Sequence, residues 1–495
     1  MESFWEEEIK KHQEFESVKN NIDVSVCIIG GGLTGLSTAY YLSKKVSVAV
    51  VEKDRICSHT SGKTTGKITS QHGLFYEYLI NSENKEFAKK YLKANEKAID
   101  NIENIIKESQ GECDFEREDA YVFTMQETKV DQIKNEQASV DKIDKEKSEF
   151  VKQVLLPLEI AGAIKFRNQA KFHPVKYGYI LANSIMNNNG RVFENSKVTD
   201  IKRENGKYIV SVNRNKIIAD YVVIATRYPI VNVPGYHFLK MYQSTSYAVM
   251  ADVKKELFNG MYISTEVPNI SFRTVKDGER KLLLAVGFDY KTGKEDLKDG
   301  YQRLETVIRK MYPDAEILYK WSAEDCISLD KIPYIGEISV MKPNMYIATG
   351  FNKWGITSSN IAANIITDDI LGNENEYKDI FKSTRLQPIK NRQEVGNMLK
   401  EVNKSLIASR FKITKNELKD IKIGEGKIVN INNTKVGVYK SQTGEVFKIR
   451  PYCAHLGCEL YFNNIDKTWE CPCHGSKFSY DGKLIEVPSN KDLKQ

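Results

Sequence analysis

Apolar and polar positions along this chain fall into blocks of changing period, and each block predicts an element. From Val24, VSVCII is an unbroken apolar run suited to a strand buried on both faces, and a helical pattern follows to Lys44. A second run, VSVAVVE, ends at Glu52. Charged patterns of helical period occupy roughly residues 83–109 and 127–153, with CDFEREDAYVFT between them reading as a strand pair. In FHPVKYGYILANSI, His173 and Pro174 open another helix. KVTDIKRENGKYIVSVNRNKIIADYVVIAT reads as a strand meander that ends in a buried strand at Ala225 and Thr226. Residues 242–290 alternate as antiparallel strands do, with Arg273 on one of them. WSAEDCISLDKIPYIGEI reads as a loop carrying Asp330 and Pro333. It leads into MYIATGFNKWGITSSNIAANIITDDILG, a strand, a loop in which Gly350 and Gly355 bracket Trp354, and a helix. Residues 376–420 are charged and mostly helical in period, with Pro388 as a breaker; Met398, Leu399, Val402 and Leu406 predict a linker helix that docks two domains, in preference to a free tether.

Composition narrows the class. At 495 residues the chain is long enough for about three domains, and 41% hydrophobic with 28% charged residues is ordinary for a globular protein. The net charge of +7 is spread over a lysine-rich surface with nearly as many acids, which reads as a solvated face and not as nucleic-acid binding. MESFWEEEIKKHQEFESVKN lacks an apolar core for a secretory signal, and no apolar run reaches the roughly 18 residues of a membrane span, so a cytoplasmic protein is expected. Of eight cysteines, four stand at 27, 57, 113 and 326, scattered unlike a secreted disulfide framework.

The first block carries chemistry. Gly30, Gly32 and Gly35 fall in GxGxxG spacing between strand and helix, and Glu52 closes the second strand. The glycines permit a tight turn, close approach to a pyrophosphate and packing of helix on strand, while an acid at Glu52 accepts hydrogen bonds from a ribose. This is a dinucleotide site. SHTSGKTTGKITSQHG, residues 58–73 with Thr64, Thr65 and His72, then supplies hydroxyls and glycines where a flavin's pyrophosphate and ring would lie.

The other four cysteines lie in RPYCAHLGCELYFNNIDKTWECPCHGSKFSYDG, residues 450–482. One loop offers Cys453 and His455, the other Cys471 and His474, with fifteen residues between His455 and Cys471. Two irons bridged by two sulfides need four protein ligands, and a cysteine pair on one with a histidine pair on the other raises the potential, because neutral imidazoles replace thiolates. A structural zinc site is the alternative, though it leaves two donors idle. The CxHLGC and CPCHGS loops resemble those of Rieske [2Fe-2S] proteins over about the last seventy residues. The resemblance implies Cys453 and Cys471 on one iron, His455 and His474 on the other, and a disulfide between Cys458 and Cys473 holding the loops over the cluster. Phe478 stands where high-potential members have a tyrosine, while Ser476 keeps its hydroxyl.

A second resemblance covers roughly residues 22–375. GGGLTGLS with Glu52, Ala225-Thr226, the DKIPYIG loop and ATGFNKWGITSSN look like the FAD-dependent amine and D-amino-acid oxidase group, which includes glycine oxidase and sarcosine oxidase. It implies that Gly30, Gly32, Gly35 and Glu52 hold the ADP half of FAD. It places Val198 at the adenine, and Gly350, Gly355, Ile356 and Thr357 against the isoalloxazine, with Thr64, Thr65 and Thr226 completing the site. Arg227 stands where a glycine is usual. Cys326 lies where some relatives attach flavin covalently, but its spacing to Asp330 is short for that, so noncovalent FAD is expected.

Together the resemblances imply three parts. Residues 1–380 form an α/β FAD-binding domain, Rossmann-like and of glutathione-reductase type, with an antiparallel-sheet substrate domain. Residues 381–415 form a helical linker, and 416–495 a small all-β Rieske domain. The expected reaction is oxidation of an amine or amino acid at flavin, with electrons leaving singly through the cluster to an external acceptor. Arg273, His72 and Trp354 are the candidate pocket; Arg273 has the geometry to pair with a substrate carboxylate, and a surface salt bridge is the equally open alternative. A reductase fed by nicotinamide would usually need a second strand-GxGxxG-helix unit, which is not found. A redox sensor without turnover is the non-enzymatic alternative. Ring-hydroxylating oxygenase chemistry would need a mononuclear-iron domain, and none is evident.

Overall fold

The structure, a computed structural model, describes residues 2–231, 234–294, 299–385, 418–489 and 491–494. The first apolar run forms the strand Ile22–Ile29 at the centre of a mixed sheet. It lies parallel to Asn215–Ile224 on one side and to Val48–Val51 on the other. Gly190–Phe193 continues the parallel array beyond Val48–Val51, and Met345–Thr349 beyond Asn215–Ile224. Tyr334–Glu337 closes that edge antiparallel. Strand alternation explains why the run is apolar throughout: Val26 and Ile28 enter the core beneath helices Leu33–Ser43 and Gly355–Leu371, while Cys27 and Ile29 enter the core on the opposite face. The hairpin Val198–Glu204 and Lys207–Val212 runs on from Asn215–Ile224 as the predicted meander.

A second, nine-stranded sheet holds the middle of the chain. Its long members Glu316–Ser328, Met241–Asp252, Arg280–Lys291 and Ile270–Asp277 are antiparallel neighbours. The helix Gly300–Met311 covers one face with Leu304, Ile308 and Met311, and Asp299 caps it by accepting from the N–H groups of Tyr301 and Gln302.

Two small antiparallel sheets form the C-terminal unit, one of Gly426–Ile431, Thr434–Lys440 and Val446–Ile449, the other of Tyr461–Asn463, Thr468–Glu470, Lys477–Ser479 and Leu484–Glu486. They enclose Leu460, Trp469 and Phe478 with the loop cysteines.

Three expectations change. The second charged pattern is helix only over Val130–Asp141, and Ser148–Val151 becomes a strand on Gly162–Lys171. CDFEREDAYVFT supplies one strand, Glu116–Thr124, not a pair. WSAEDCIS is the end of the strand Glu316–Ser328, leaving only residues 329–333 as loop. His173 does open its helix, accepting from the Lys176 N–H at 3.3 Å, and the first charged helix spans Lys85–Ser109. Most of the expected linker, with Pro388, Met398, Leu399, Val402 and Leu406, lies outside the described residues. Among the described residues no helix is long and apolar enough to cross a membrane.

Candidate functional site

The glycine turn is built so that only hydrogen fits. A Cβ on Gly35 would lie 1.9 Å from the Gly30 carbonyl oxygen, and one on Gly30, whose φ is +111°, would lie 2.6 Å from the Ala225 oxygen. The helix Leu33–Ser43 begins directly after Gly32 with no acid in its first turn, leaving its N-terminus suited to an anion. Glu52, buried at the end of Val48–Val51, accepts from the backbone N–H of Gly31 at 2.8 Å and of Asp54 at 3.0 Å.

These residues open on a cavity of about 1650 Å³. Gly30, Gly32, Glu52, Thr64, Thr65, Val198, Thr226, Gly350, Gly355 and Ile356 all line it. Gly35 and Thr357 do not: Gly35 serves the packing of helix on strand, and Thr357 is buried inside the helix Gly355–Leu371. A turn without Cβ atoms, a helix N-terminus and a buried acid on one open cavity fit the phosphates and ribose of FAD.

The loop before the helix Gly355–Leu371 is held in an unusual path. Gly350, Asn352 and Lys353 have φ of +70°, +54° and +72°, and the Asn352 side chain fixes it by accepting from the Ser328 N–H at 2.9 Å and donating to the Gly350 carbonyl at 2.8 Å. The loop delivers Trp354 flat onto His72, with ring centroids 4.6 Å apart and 12° between planes, and both rings line the cavity. The Thr69 carbonyl, 2.9 Å from Nε2, can only accept, so the His72 proton sits on Nε2 and Nδ1 accepts from the Tyr91 hydroxyl at 2.7 Å. Burial pushes His72 down to about 3, outweighing the Thr69 bond. It is a neutral wall, not a base.

Arg273 is placed elsewhere. Its guanidinium is buried and donates to the carbonyls of Gly66 at 2.6 Å and Phe172 at 3.2 Å, beside the Trp5 ring, and it does not line the cavity. Burial pulls it down to about 9, against the field of Glu118. In this position the arginine ties loops behind the sheet, away from the cavity. The cavity instead carries Lys353, paired with Asp289 at 3.0 Å and donating to Ser246 at 3.1 Å, and the half-buried Asp325, whose carboxyl is raised by desolvation despite Lys353. Cys326 also lines it, its thiol pushed up to about 12 by burial, so it offers little thiolate for attachment to flavin.

In the C-terminal unit the two cysteine–histidine loops meet. His455 and His474 have ring centroids 5.2 Å apart, and both Nδ1 atoms are buried without a hydrogen-bond partner. Cys453 and Cys471 lie within hydrogen-bonding reach of each other, and Cys458 and Cys473 form a disulfide. Two orphaned imidazole nitrogens beside two thiols are the donor set a [2Fe-2S] cluster requires. Ser476 accepts from the Ser489 N–H at 3.0 Å, which leaves its hydroxyl proton for the Cys453 sulfur. Phe478 has no such proton and is cross-strand partner to Trp469.

The two sites share one cavity, for His455, Glu486 and Val487 line it together with the glycine turn. Gln243 donates to the carbonyls of His474 at 2.6 Å and Val487 at 2.9 Å. Lys477, fully enclosed, contacts Glu324 at 2.6 Å, Glu470 at 3.3 Å and Asp466 at 3.6 Å. Arg227 joins Glu486 at 2.8 Å. Gln243, Glu324, Lys477 and Glu486 were not singled out from sequence, and only Arg227, standing in a glycine's place, was a visible signal.

Residues 25–369 match the model of the FAD dependent oxidoreductase family. The chain belongs to that family. This FAD-dependent oxidoreductase also matches the Rieske [2Fe-2S] domain over residues 412–495. It is 35% identical to a protein of Bacillus subtilis (strain 168) named as a Rieske 2Fe-2S iron-sulfur protein, YhfW, over 97% of this chain and 95% of the relative. It is 22% identical to the gamma-glutamylputrescine oxidoreductase of Escherichia coli (strain K12) over 76% of this chain and 90% of that protein. Glycine oxidase from Geobacillus kaustophilus has the same fold, with a TM-score of 0.61 at 18% identity over 74% of this chain and 100% of that one. The oxidoreductase is therefore an enzyme with two redox groups, FAD and a [2Fe-2S] cluster.

Proposed function

We propose that this oxidoreductase removes a hydride from the carbon beside nitrogen in an amine or amino acid and passes the electrons singly through the Rieske centre to an external acceptor. The observation that carries this reading is the single cavity lined by Gly30 and Glu52, by Trp354 and His72, and by the ligand His455. FAD supplies hydride chemistry and a Rieske centre takes one electron at a time, which gives a reason for having both on one chain. Two similar proteins, named gamma-glutamylputrescine oxidoreductase and glycine oxidase, support a nitrogen-bearing substrate.

The chain's own residues set the conditions. Loss of a hydride to FAD and of one nitrogen proton to solvent would leave an imine, which water would hydrolyse to a carbonyl compound with release of ammonia or an amine; the two electrons would then reduce two one-electron acceptors, and the hydride's proton would pass to solvent. His72 takes no proton in this, because both of its ring nitrogens are engaged. With Trp354 it forms a flat wall, and Lys353, Asp289 and Asp325 offer charge to the polar end of the substrate.

The test is anaerobic titration of the purified protein with a panel of amines and amino acids, following flavin absorbance and the reduced-cluster EPR signal together. One of them is expected to bleach the flavin and raise the cluster signal. Bleaching by NADH or NADPH at enzymatic rates with none by any amine refutes the proposal, as does a reduced flavin beside a cluster that stays oxidised.

A further inference from the structure

Arg227 occupies a backbone position with φ +54°, which a glycine adopts freely and an arginine rarely does. A long side chain kept there has a use, and its contacts show which parts it ties. One guanidinium nitrogen donates to the Thr60 hydroxyl at 3.1 Å and the Glu324 carbonyl at 3.2 Å, both in the flavin domain. The other donates at 2.8 Å to Glu486, a buried acid on the strand Leu484–Glu486 of the Rieske domain. Thr226, the preceding residue, lines the flavin cavity.

The far end of this link leads to the cluster. Gln243 donates both to the carbonyl of Val487, next to Glu486, and to the carbonyl of the ligand His474. Gly475, next to that ligand, has φ +76°, and a Cβ there would lie 2.5 Å from the Cβ of Gln243, so the loop can come this close only as glycine. Thr226, Arg227, Glu486, Val487, Gln243 and His474 thus form one continuous chain of contacts from flavin cavity to iron ligand.

We infer that Arg227 is a positioning residue that pins the Rieske domain against the flavin cavity through Glu486, so that electrons cross between the two groups in this docked arrangement. The inference rests on the proposed electron path: each electron leaving the reduced flavin converts one oxidised cluster to its one-electron-reduced form. Docking can be read separately from that path.

The test compares holoprotein carrying Arg227→Gly, Glu486→Gln, both, or Arg227→Lys with the unaltered chain. Arg227→Gly relieves the backbone while removing the pin. Hydrogen exchange over Leu484–Glu486 and Met241–Asp252 is expected to quicken at least tenfold in Arg227→Gly and in Glu486→Gln, and no further in the double variant. After photoreduction of the flavin, the cluster is expected to be reduced at least tenfold more slowly in both single variants, with its midpoint potential unchanged. Arg227→Lys, which keeps the charge, is expected to remain faster than Arg227→Gly. Glu486→Gln carries the test alone should Arg227→Gly fail to fold. Unchanged exchange in the single variants, or effects that add in the double, overturns the pin. Faster exchange with unchanged cluster reduction overturns its positioning role and leaves the electron path standing.

Discussion

Glu52→Gln removes one charge from the nucleotide end and little else. In the structure both carboxylate oxygens accept from backbone N–H groups, one from Gly31 at 2.8 Å and the other from Asp54 at 3.0 Å. A glutamine has one acceptor and one donor end, so one of these N–H groups would face an amide NH₂. Hydrogen bonds to a charged group are worth about 1.5–3 kcal/mol, and a buried donor left unsatisfied costs about 1–3 kcal/mol. In the proposed site the Gly31 N–H belongs to the turn that would receive the pyrophosphate, and the carboxylate would also accept from ribose hydroxyls. Loss of one charge-assisted bond to the nucleotide therefore predicts FAD affinity roughly 10- to 150-fold weaker, from about 1.5–3 kcal/mol. The assay is titration of deflavinated protein with FAD, read by quenching of flavin fluorescence, with thermal unfolding of the apoprotein measured in parallel. Affinity within threefold of the unaltered protein, with the apoprotein folded, refutes the reasoning. A lowered melting temperature with unchanged affinity would show that Glu52 serves only its own turn.

Arg273→Met should leave the Gly66 and Phe172 carbonyls without their donor and destabilise the protein by about 1–3 kcal/mol in urea unfolding, with substrate KM unchanged; a large rise in KM would return the residue to the pocket. Because Phe478 lacks a hydroxyl, the cluster midpoint should fall in the lower or middle part of the roughly −150 to +300 mV Rieske range, and His474→Cys should lower it further. A redox titration that finds a midpoint near the upper limit, or no change in the variant, contradicts this. His59 contacts Asp54 at 2.7 Å and Glu486 at 3.6 Å, and these carboxylates, overcoming burial, raise it to about 9. Its folded value exceeds the unfolded value of about 6.5, so its contribution, about 1 kcal/mol for a partly exposed pair, is complete below that pH. It fades as pH rises to about 9, and His59→Gln should flatten the stability profile across that interval in denaturant titrations at several pH values.

What could be read in the sequence was local. The glycine turn with Glu52 lies within one strand-helix-strand unit, and each Rieske loop is a few residues long, so local spacing together with the family resemblance carries the expectation. What failed depended on distant partners. Residues after Asp141 keep a charged, helix-like composition, but Ser148–Val151 pairs with Gly162–Lys171, and that pairing decides their state. WSAEDCIS looks too polar for a strand core, yet it pairs along Met241–Asp252 with its polar side chains turned to the cavity and the Rieske domain. Arg273 has the chemistry for a substrate carboxylate, but carbonyls from two other segments reach it first.

The interface also explains why polar groups are buried where the domains meet. Taking Lys477 and its three carboxylate neighbours out of water costs several kcal/mol per ion, roughly the return of their mutual attraction, so apolar residues could hold the domains together as well. What charges add is selection among orientations. Glu324 comes from the flavin domain and Glu470 and Asp466 from the Rieske domain, while Tyr290, Gly293, Tyr301 and Ser322 donate to the latter two acids from across the interface. A rotated Rieske domain would leave these groups buried and unpaired, at about 1–3 kcal/mol for each neutral donor and more for each charge. An apolar interface would tolerate such a rotation, whereas here it would leave donors and charges unpaired; in the docked arrangement they are paired and His455 lines the flavin cavity.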